Sequence, residues 1–273
     1  MDARLADTLV ERVLERLGIA APPITPAGLA TVYGAWCENV PWDNVQKRIS
    51  VVAGRAVLGG AQPDEFFENY VRHGTGGTCW PSAGALHALL VHLGFPARRA
   101  VAAMGVERWG RGVNHGTTIV RLDGDDLVVD SSILHGVPLP LRARARIDHP
   151  AHRTRVEQRD GEWLIWWTQH ARDEEMACLL LEDDVPLSRY LERYEASRVT
   201  GFSYRLTFAK GVGGGILSVN GSKRAVRAAT GVIVYGDVPD RGRVLVEEGG
   251  LSEDIVARLP ADDPEPERPG VTA

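Results

Sequence analysis

A chain of 273 residues, 44% hydrophobic and 25% charged, has enough apolar material for a buried core and the mixed surface of a globular protein. A net charge of −5 carries no basic footprint for nucleic acid, and no apolar run reaches the length of a membrane span, so neither partner is expected. The start of the chain carries acids and no continuous apolar core, unlike a secretory leader, and a cytoplasmic location is expected. Three scattered cysteines, Cys37, Cys79 and Cys178, supply neither a disulfide framework nor a paired-cysteine zinc site.

The elements can be taken in order. Leu5, Leu9, Val13 and Leu17 recur at helical spacing, Val10 and Leu14 widen the stripe, and Gly18 stops the helix predicted over residues 4–18. A second helix is predicted from Pro26 to about Glu38, with Thr25 as N-cap and proline at the first helical position. It leads to Val40-Pro41-Trp42-Asp43-Asn44-Val45, a turn with an aromatic anchor. Residues 63–71 make a short helix that runs into a glycine turn, Gly76-Gly77-Thr78-Cys79-Trp80-Pro81-Ser82. The next helix is read from Cys79 to Leu93, with Pro81 where a first helical residue would be, Ala85, Leu86, Leu89, Leu90 and Leu93 as its buried stripe and Gly94 as C-cap. Cys79 therefore stands at a helix N-terminus, where unpaired N–H groups stabilise an anion, and the thiolate is the nucleophilic form of cysteine. The competing reading is a small buried apolar residue.

After Phe95-Pro96 the periodicity changes to that of strands. Arg99 to Val106 reads as one strand; Gly116–Leu122 and Leu127–Ser131 form a hairpin around Asp123-Gly124-Asp125-Asp126. A second hairpin joins Thr154–Gln158 to Glu162–Trp167, and successive hairpins suggest an antiparallel sheet curling toward a barrel. Leu187 to about Ser197 is helical. Strands follow at Phe202–Phe208, Ile216–Val219 and Val232–Tyr235, then a helix after Ser252, and Pro260 to Ala273 is rich in Pro, Asp and Glu and expected to be disordered.

A nucleophilic cysteine needs an imidazole, and the imidazole works best when an acid fixes its tautomer. The first hairpin offers both. Facing residues in an antiparallel pair keep a constant index sum, and in either available register His115 faces an even-numbered residue, so Asp130 shares its face; the tighter register makes the two diagonal neighbours. Asp130 also ends the apolar run Leu127-Val128-Val129, where an unpaired charge is expensive. Taken singly, each has a structural explanation: a histidine starting a strand and an aspartate capping its end.

The segments Val40-Pro41-Trp42-Asp43-Asn44, Gly76-Gly77-Thr78-Cys79-Trp80, Asn114-His115-Gly116 and Val129-Asp130 resemble, in order and at comparable spacing, the motifs of the arylamine N-acetyltransferase family. The resemblance implies an α+β fold with an N-terminal helical bundle, a central antiparallel β-barrel and a C-terminal α/β lid around a cysteine-protease-like core. The corresponding divisions are a helical domain over 1–97, a barrel over 98–186, a connecting helix and strand over 187–210, a lid over 211–259 and the tail over 260–273. It implies a catalytic triad of Cys79, His115 and Asp130, with acetyl-CoA or another acyl-CoA as co-substrate and a small amine, hydrazine or biosynthetic intermediate as acceptor. Two positions depart from the family: an arginine before the glycine pair is Thr75 here, and a glutamate two residues past the cysteine is Pro81. The pocket-lining stretch after the aspartate is Ser131-Ser132-Ile133-Leu134-His135 in place of glycines and an aromatic.

Acyl transfer through an acyl-cysteine is the leading expectation. An amide synthase or a transglutaminase-like cysteine hydrolase would use the same triad, and a non-catalytic binding descendant is the third reading. Trp42, Trp80, Ser131 and Ser132 are the candidate substrate contacts. Gly211–Gly215 is read as an inter-strand loop, lacking the lysine and helix of a phosphate loop. Arg142, Arg144 and Arg146, and Lys223, Arg224 and Arg227, are read as solvated surface rather than a phosphate site. His149 and His152 lack accompanying ligands, and no metal is expected. Trp163, Trp166 and Trp167 are assigned to the barrel core and rim.

Overall fold

The computed structural model describes residues 4–263. Helix α1 (Asp7–Leu17) buries Leu9, Val10, Val13, Leu14 and Leu17 and ends at Gly18, whose φ of 71° is a left-handed C-cap. In α2 (Pro26–Asn39) the Thr25 hydroxyl accepts the Gly28 N–H at 3.1 Å, so the expected cap is present. A two-residue strand β1 (Trp42–Asp43) and α3 (Val45–Val52) follow, then α4 (Pro63–His73) and α5 (Cys79–His92). Trp36 stacks on Phe66 at 5.9 Å between ring centroids, joining α2 to α4 in the core of the bundle. Helix α5 is not amphipathic: from Trp80 to Leu90 nearly every residue is buried, because the bundle lies on one side and the barrel on the other. Cys79 is the first helical residue, as the sequence suggests, and Pro81 is the third and not the first.

The barrel is an eight-stranded, nearly closed antiparallel sheet. Its strands are β2 (Ala97–Met104), β3 (His115–Leu122), β4 (Asp125–Val129), β5 (Leu139–Pro140), β6 (Arg146–Ile147), β7 (Thr154–Arg159), β8 (Glu162–Thr168) and β9 (Glu175–Asp183), with a short helix α6 (Val106–Trp109) after β2. The order is β5-β4-β3-β2-β9-β8-β7-β6. The β3–β4 hairpin takes the tighter register, Leu122 facing Asp125 across Asp123-Gly124. Strand β9 has no counterpart among the predicted elements. Its run Met176 to Leu181 does not alternate with polar residues, since it sits between β2 and β8 with most of both faces covered. Trp167 lies in the barrel core and donates Nε1–H to Met104 Sδ at 3.2 Å, whereas Trp166 lies under the Arg155 guanidinium.

Helix α7 (Leu187–Ala196) leads to two 3₁₀ turns, Ser197–Val199 and Gly201–Ser203, where the sequence suggested the start of a strand. The strand begins later, as β10 (Thr207–Val212), and continues through β11 (Gly215–Asn220), β12 (Lys223–Arg227) and β13 (Ile233–Asp237) to the helices α8 (Arg241–Glu247) and α9 (Glu253–Ala257). Strand β1 pairs with β10, so the C-terminal sheet is β1-β10-β11-β12-β13 and includes a piece of the N-terminal segment. Asn44 reinforces that junction: its Nδ2 donates to Phe202 O and Arg205 O at 2.7 Å each, and its Oδ1 accepts the Thr207 N–H at 3.0 Å. A boundary at residue 211 therefore cuts through β10.

The solvated-surface reading fails at Arg227, and the disorder expected from residue 260 fails over 260–263. Arg227 is 1% exposed and binds the carbonyls of Gln169, His170, Arg172 and Gly231 and the Asp173 carboxylate, fastening the C-terminal sheet to the β8–β9 loop. Residues 260–263 are ordered by contacts: Asp262 pairs with Arg48 at 2.9 Å and Arg241 at 2.8 Å and accepts the Leu206 N–H. The rest of the expected tail, 264–273, lies outside the described residues. Arg142, Arg146, Lys223 and Arg224 pair with Asp125, Asp148, Asp237 and Glu248 near the surface. Among the described residues no helix is long and apolar enough to cross a membrane.

Candidate active site

Cys79 is held by the turn that precedes it. A Cβ on Gly76 would lie 1.8 Å from the Pro41 carbonyl oxygen, so only glycine permits this approach. Asp43, fully buried, accepts the Gly76 N–H at 2.7 Å on one carboxylate oxygen and the Val45 N–H at 2.8 Å on the other, and its own N–H donates to Gly77 O. Burial pushes the Asp43 carboxyl up to about 6 although both N–H donors oppose the shift. The turn is thus clamped to the β1–α3 junction immediately before Cys79. Cys79 is half-buried, with Sγ 3.9 Å from the Asn114 carbonyl oxygen. The other two cysteines are enclosed, and burial pushes Cys37 up to about 12 and Cys178 well above its ordinary value.

His115 opens β3 directly across from α5. Thr118 Oγ1, on the same strand, donates to Ala83 O of α5 at 3.2 Å. The strand start is fixed by Asn114, whose side chain bonds both the N–H (2.7 Å) and the carbonyl (3.0 Å) of Met104 in β2. Asp130 follows the last residue of β4. Its Oδ2 is 2.7 Å from His115 Nε2, and its Oδ1 accepts the Ser132 N–H at 2.8 Å. With Nε2 committed to the acid, Nδ1 is the nitrogen left for the thiol of Cys79, which interacts with the ring.

Burial alone would push the His115 imidazole down. The Asp130 charge and hydrogen bond, together with Cys79, outweigh it and raise the group to about 10. For Asp130, burial favours the neutral acid, but the His115 charge and hydrogen bond and the Ser132 N–H hold it below the usual carboxylate range. The favoured state is carboxylate paired with imidazolium. Lys47 is a second buried cation in this region: its Nζ donates to Ser197 O at 2.7 Å and to the hydroxyls of Ser197 and Thr200. Burial lowers it to about 8, opposed by attraction to Cys79 and Glu195 and reinforced by Arg198.

A family model described as N-acetyltransferase matches residues 27–207. The chain belongs to the arylamine N-acetyltransferase family. Solved members share the fold at low identity. The arylamine N-acetyltransferase of Salmonella typhimurium is 18% identical, with a TM-score of 0.78 over 93% of this chain and 98% of that one. The Mycobacterium marinum enzyme in complex with CoA is 16% identical, with a TM-score of 0.77 over 91% and 97%. The Mycobacterium tuberculosis enzyme is 18% identical, with a TM-score of 0.74 over 91% and 99%. No curated protein sequence matches.

Against that family background the two unusual positions form neutral packing. Thr75 is buried and its hydroxyl accepts Gln46 Nε2 at 3.3 Å; Pro81 is buried in the first turn of α5 and its ring crowds Gly77. Trp80, a candidate substrate contact, is 4% exposed and packs edge-on to Tyr190 at 5.3 Å and against the Cα of Gly116, so it supports the wall beside His115 instead of opening onto a cleft. Trp42 is half-buried beside Leu134, Ala209 and Ile216, with Phe202 edge-on at 5.3 Å. Ser131 and Ser132 are buried, and their hydroxyls have no hydrogen-bond partner among the described residues. Tyr33, Asp43, Lys47 and Asn114 complete the surroundings of the site; Asp43 and Asn114 were read only as members of motif segments, with no role given, and Tyr33 and Lys47 escaped the sequence reading.

A cavity of about 150 Å³ is lined among others by Cys37, His135, Gly136, His149 and His152; Cys79, His115 and Asp130 do not line it. His149 and His152 stack at 5.0 Å between centroids. Among the described residues no group of three or more His, Cys, Asp or Glu side chains is arranged to hold a metal.

Proposed function

We propose that the protein transfers an acetyl or other acyl group from acyl-CoA to a small amine or hydrazine through an acyl-cysteine on Cys79. The observation that carries this reading is the buried His115–Asp130 pair at 2.7 Å with the half-exposed Cys79 beside the ring. In the first half-reaction the Cys79 sulfur attacks the thioester carbonyl, the carbon–sulfur bond to CoA breaks, and the His115 imidazolium gives its proton to the departing CoA thiolate. In the second, the amine nitrogen attacks the acyl-cysteine, now-neutral His115 takes the amine proton, and Cys79 leaves as thiolate beside a restored imidazolium. Asp130 holds the ring in the tautomer that points Nδ1 at sulfur. The N–H groups at the start of α5 have no helix carbonyl to bind and are suited to the oxyanion of each tetrahedral intermediate.

Half-buried Trp42 and exposed Phe202, edge-on to each other, are the aromatic pair from which an acceptor pocket can be built. Family membership and the CoA complex of the M. marinum enzyme support the donor class. Initial rates with acetyl-CoA and an arylamine or arylhydrazine test the reading. The acyl-enzyme route gives parallel double-reciprocal lines and no transfer in Cys79→Ala. Intersecting lines, or transfer undiminished in that variant, would overturn it.

A further inference from the structure

We propose that Tyr33 is a positioning residue for the active-site acid, its hydroxyl gripping the main chain of Asp130 so that the carboxylate stays aligned on His115. This rests on the reading of Asp130 as the acid that orients His115.

The need for such a grip follows from where Asp130 stands. The β3–β4 ladder ends at Thr118 facing Val129, one residue short of Asp130, so the N–H and carbonyl of the acid pass out of the ladder while still inside the protein. A main-chain donor and acceptor buried without partners are costly, and they leave the residue free to rotate. Tyr33, on α2 and 97 positions away in sequence, supplies both partners from one atom. Its Oη donates to Asp130 O at 2.8 Å and accepts the Asp130 N–H at 3.1 Å. The hydroxyl does for Asp130 what a neighbouring strand does for Val129.

The tyrosine is itself immobilised. It is 0% exposed, and its ring meets the His135 imidazole edge-on at 5.5 Å and 88°. The titratable groups facing it are Cys37, one turn further along α2, Asp130 and His135. Burial, then the proximity of Cys37 and Asp130, push the phenol well above its ordinary value, so Oη keeps the proton that it donates. With Tyr33 on the backbone, Ser132 N–H on Oδ1 and His115 on Oδ2, the acid's main chain and both carboxylate oxygens are held, and a small rotation breaks the bond to the imidazole. Phenylalanine at position 33 would fill the same space and remove the grip, together with the hydroxyl's contact to Cys37.

The test compares Tyr33→Phe with Asp130→Asn and with Tyr194→Phe. Tyr194 is a reference because its buried hydroxyl also binds a main-chain carbonyl, that of Gly59 at 3.0 Å, without touching Asp130. Three quantities are read: stability to denaturant, the His115 titration midpoint by NMR of nitrogen-labelled imidazole, and the rate of acyl-enzyme formation. Both tyrosine variants should lose stability. Only Tyr33→Phe should also lower the His115 midpoint by about one unit or more and slow acylation by about tenfold to a hundredfold. Midpoint and rate at wild-type values in Tyr33→Phe, with Asp130→Asn shifted, would overturn the grip and leave the acid's role standing. An unmoved midpoint in Asp130→Asn as well would overturn the acid's role and the grip together. If Tyr33→Phe does not fold, 3-fluorotyrosine at position 33 keeps the volume and the hydroxyl but weakens it as an acceptor; a smaller shift in the same direction supports the proposal and none overturns it.

Discussion

His115 Nε2 and Asp130 Oδ2 lie 2.7 Å apart with both side chains closed to solvent, one at the first residue of β3 and the other just past the end of β4. The hairpin that carries them has a two-residue turn, so its register sets their separation and a slip of one residue would put them on opposite faces. The pair also sets two edges of a pH window. His115 is raised from about 6.5 to about 10, so its contribution to stability is complete below about 6.5 and is lost as the pH climbs through about 10. Asp130 is lowered, so its contribution is present above the ordinary carboxylate value and is lost as the pH falls through its depressed one. Asp130→Asn should abolish the alkaline decline in urea stability attributable to His115 and reduce acyl transfer by on the order of 10³ to 10⁴.

Lys47 predicts the opposite slope. Its ammonium is lowered from 10.5 to about 8, so between those values the unfolded chain holds more protons and stability rises with pH. Lys47→Met should remove that rise. Because His115 titrates in the same range with the opposite sign, the quantity to measure is the difference in unfolding free energy between variant and wild type across the interval.

Gly76→Ala should be among the most damaging small substitutions. The new methyl would sit 1.8 Å from a main-chain oxygen of Pro41, which no side-chain rotation relieves. A loss of about 4 kcal/mol or more is expected in chemical denaturation. Where the variant folds at all, the alkylation rate of Cys79 should change with it, since the turn that would move begins three residues before the thiol.

Arg227→Met should cost about 3 kcal/mol or more, and the loss should be nearly independent of salt. Its guanidinium is 1% exposed and four of its five partners are carbonyl oxygens that the variant would leave without this donor, while the fifth is the Asp173 carboxylate. A cost below about 1 kcal/mol, or one that vanishes at high ionic strength, would mean the residue behaves as surface after all.

What could be read in advance divides along physical lines. The helix caps at Thr25 and Gly18, the glycine turn before Cys79 and the shared face of His115 and Asp130 are set by neighbours in the chain, and propensity and periodicity reach them. Four features lie beyond that reach. Strand β9 reads as an undivided apolar run because both its neighbours and both its faces are protein. Trp80 and Arg227 look like a site aromatic and a surface cation until the fold shows Gly116, which leaves room for an indole, and the β8–β9 loop, which offers a ring of carbonyls. The hold of Tyr33 on Asp130 joins positions 97 apart through a single oxygen, and no local pattern encodes it.

The central claim is that Cys79 carries the acyl group, and intact-mass measurement after mixing with acetyl-CoA tests it most directly. Wild type should gain one acetyl group that a free amine or hydrazine removes, while Cys79→Ala should remain unmodified. A wild-type chain that stays unmodified across a panel of acyl-CoA donors, or a Cys79→Ala chain labelled as fully as wild type, would contradict the account.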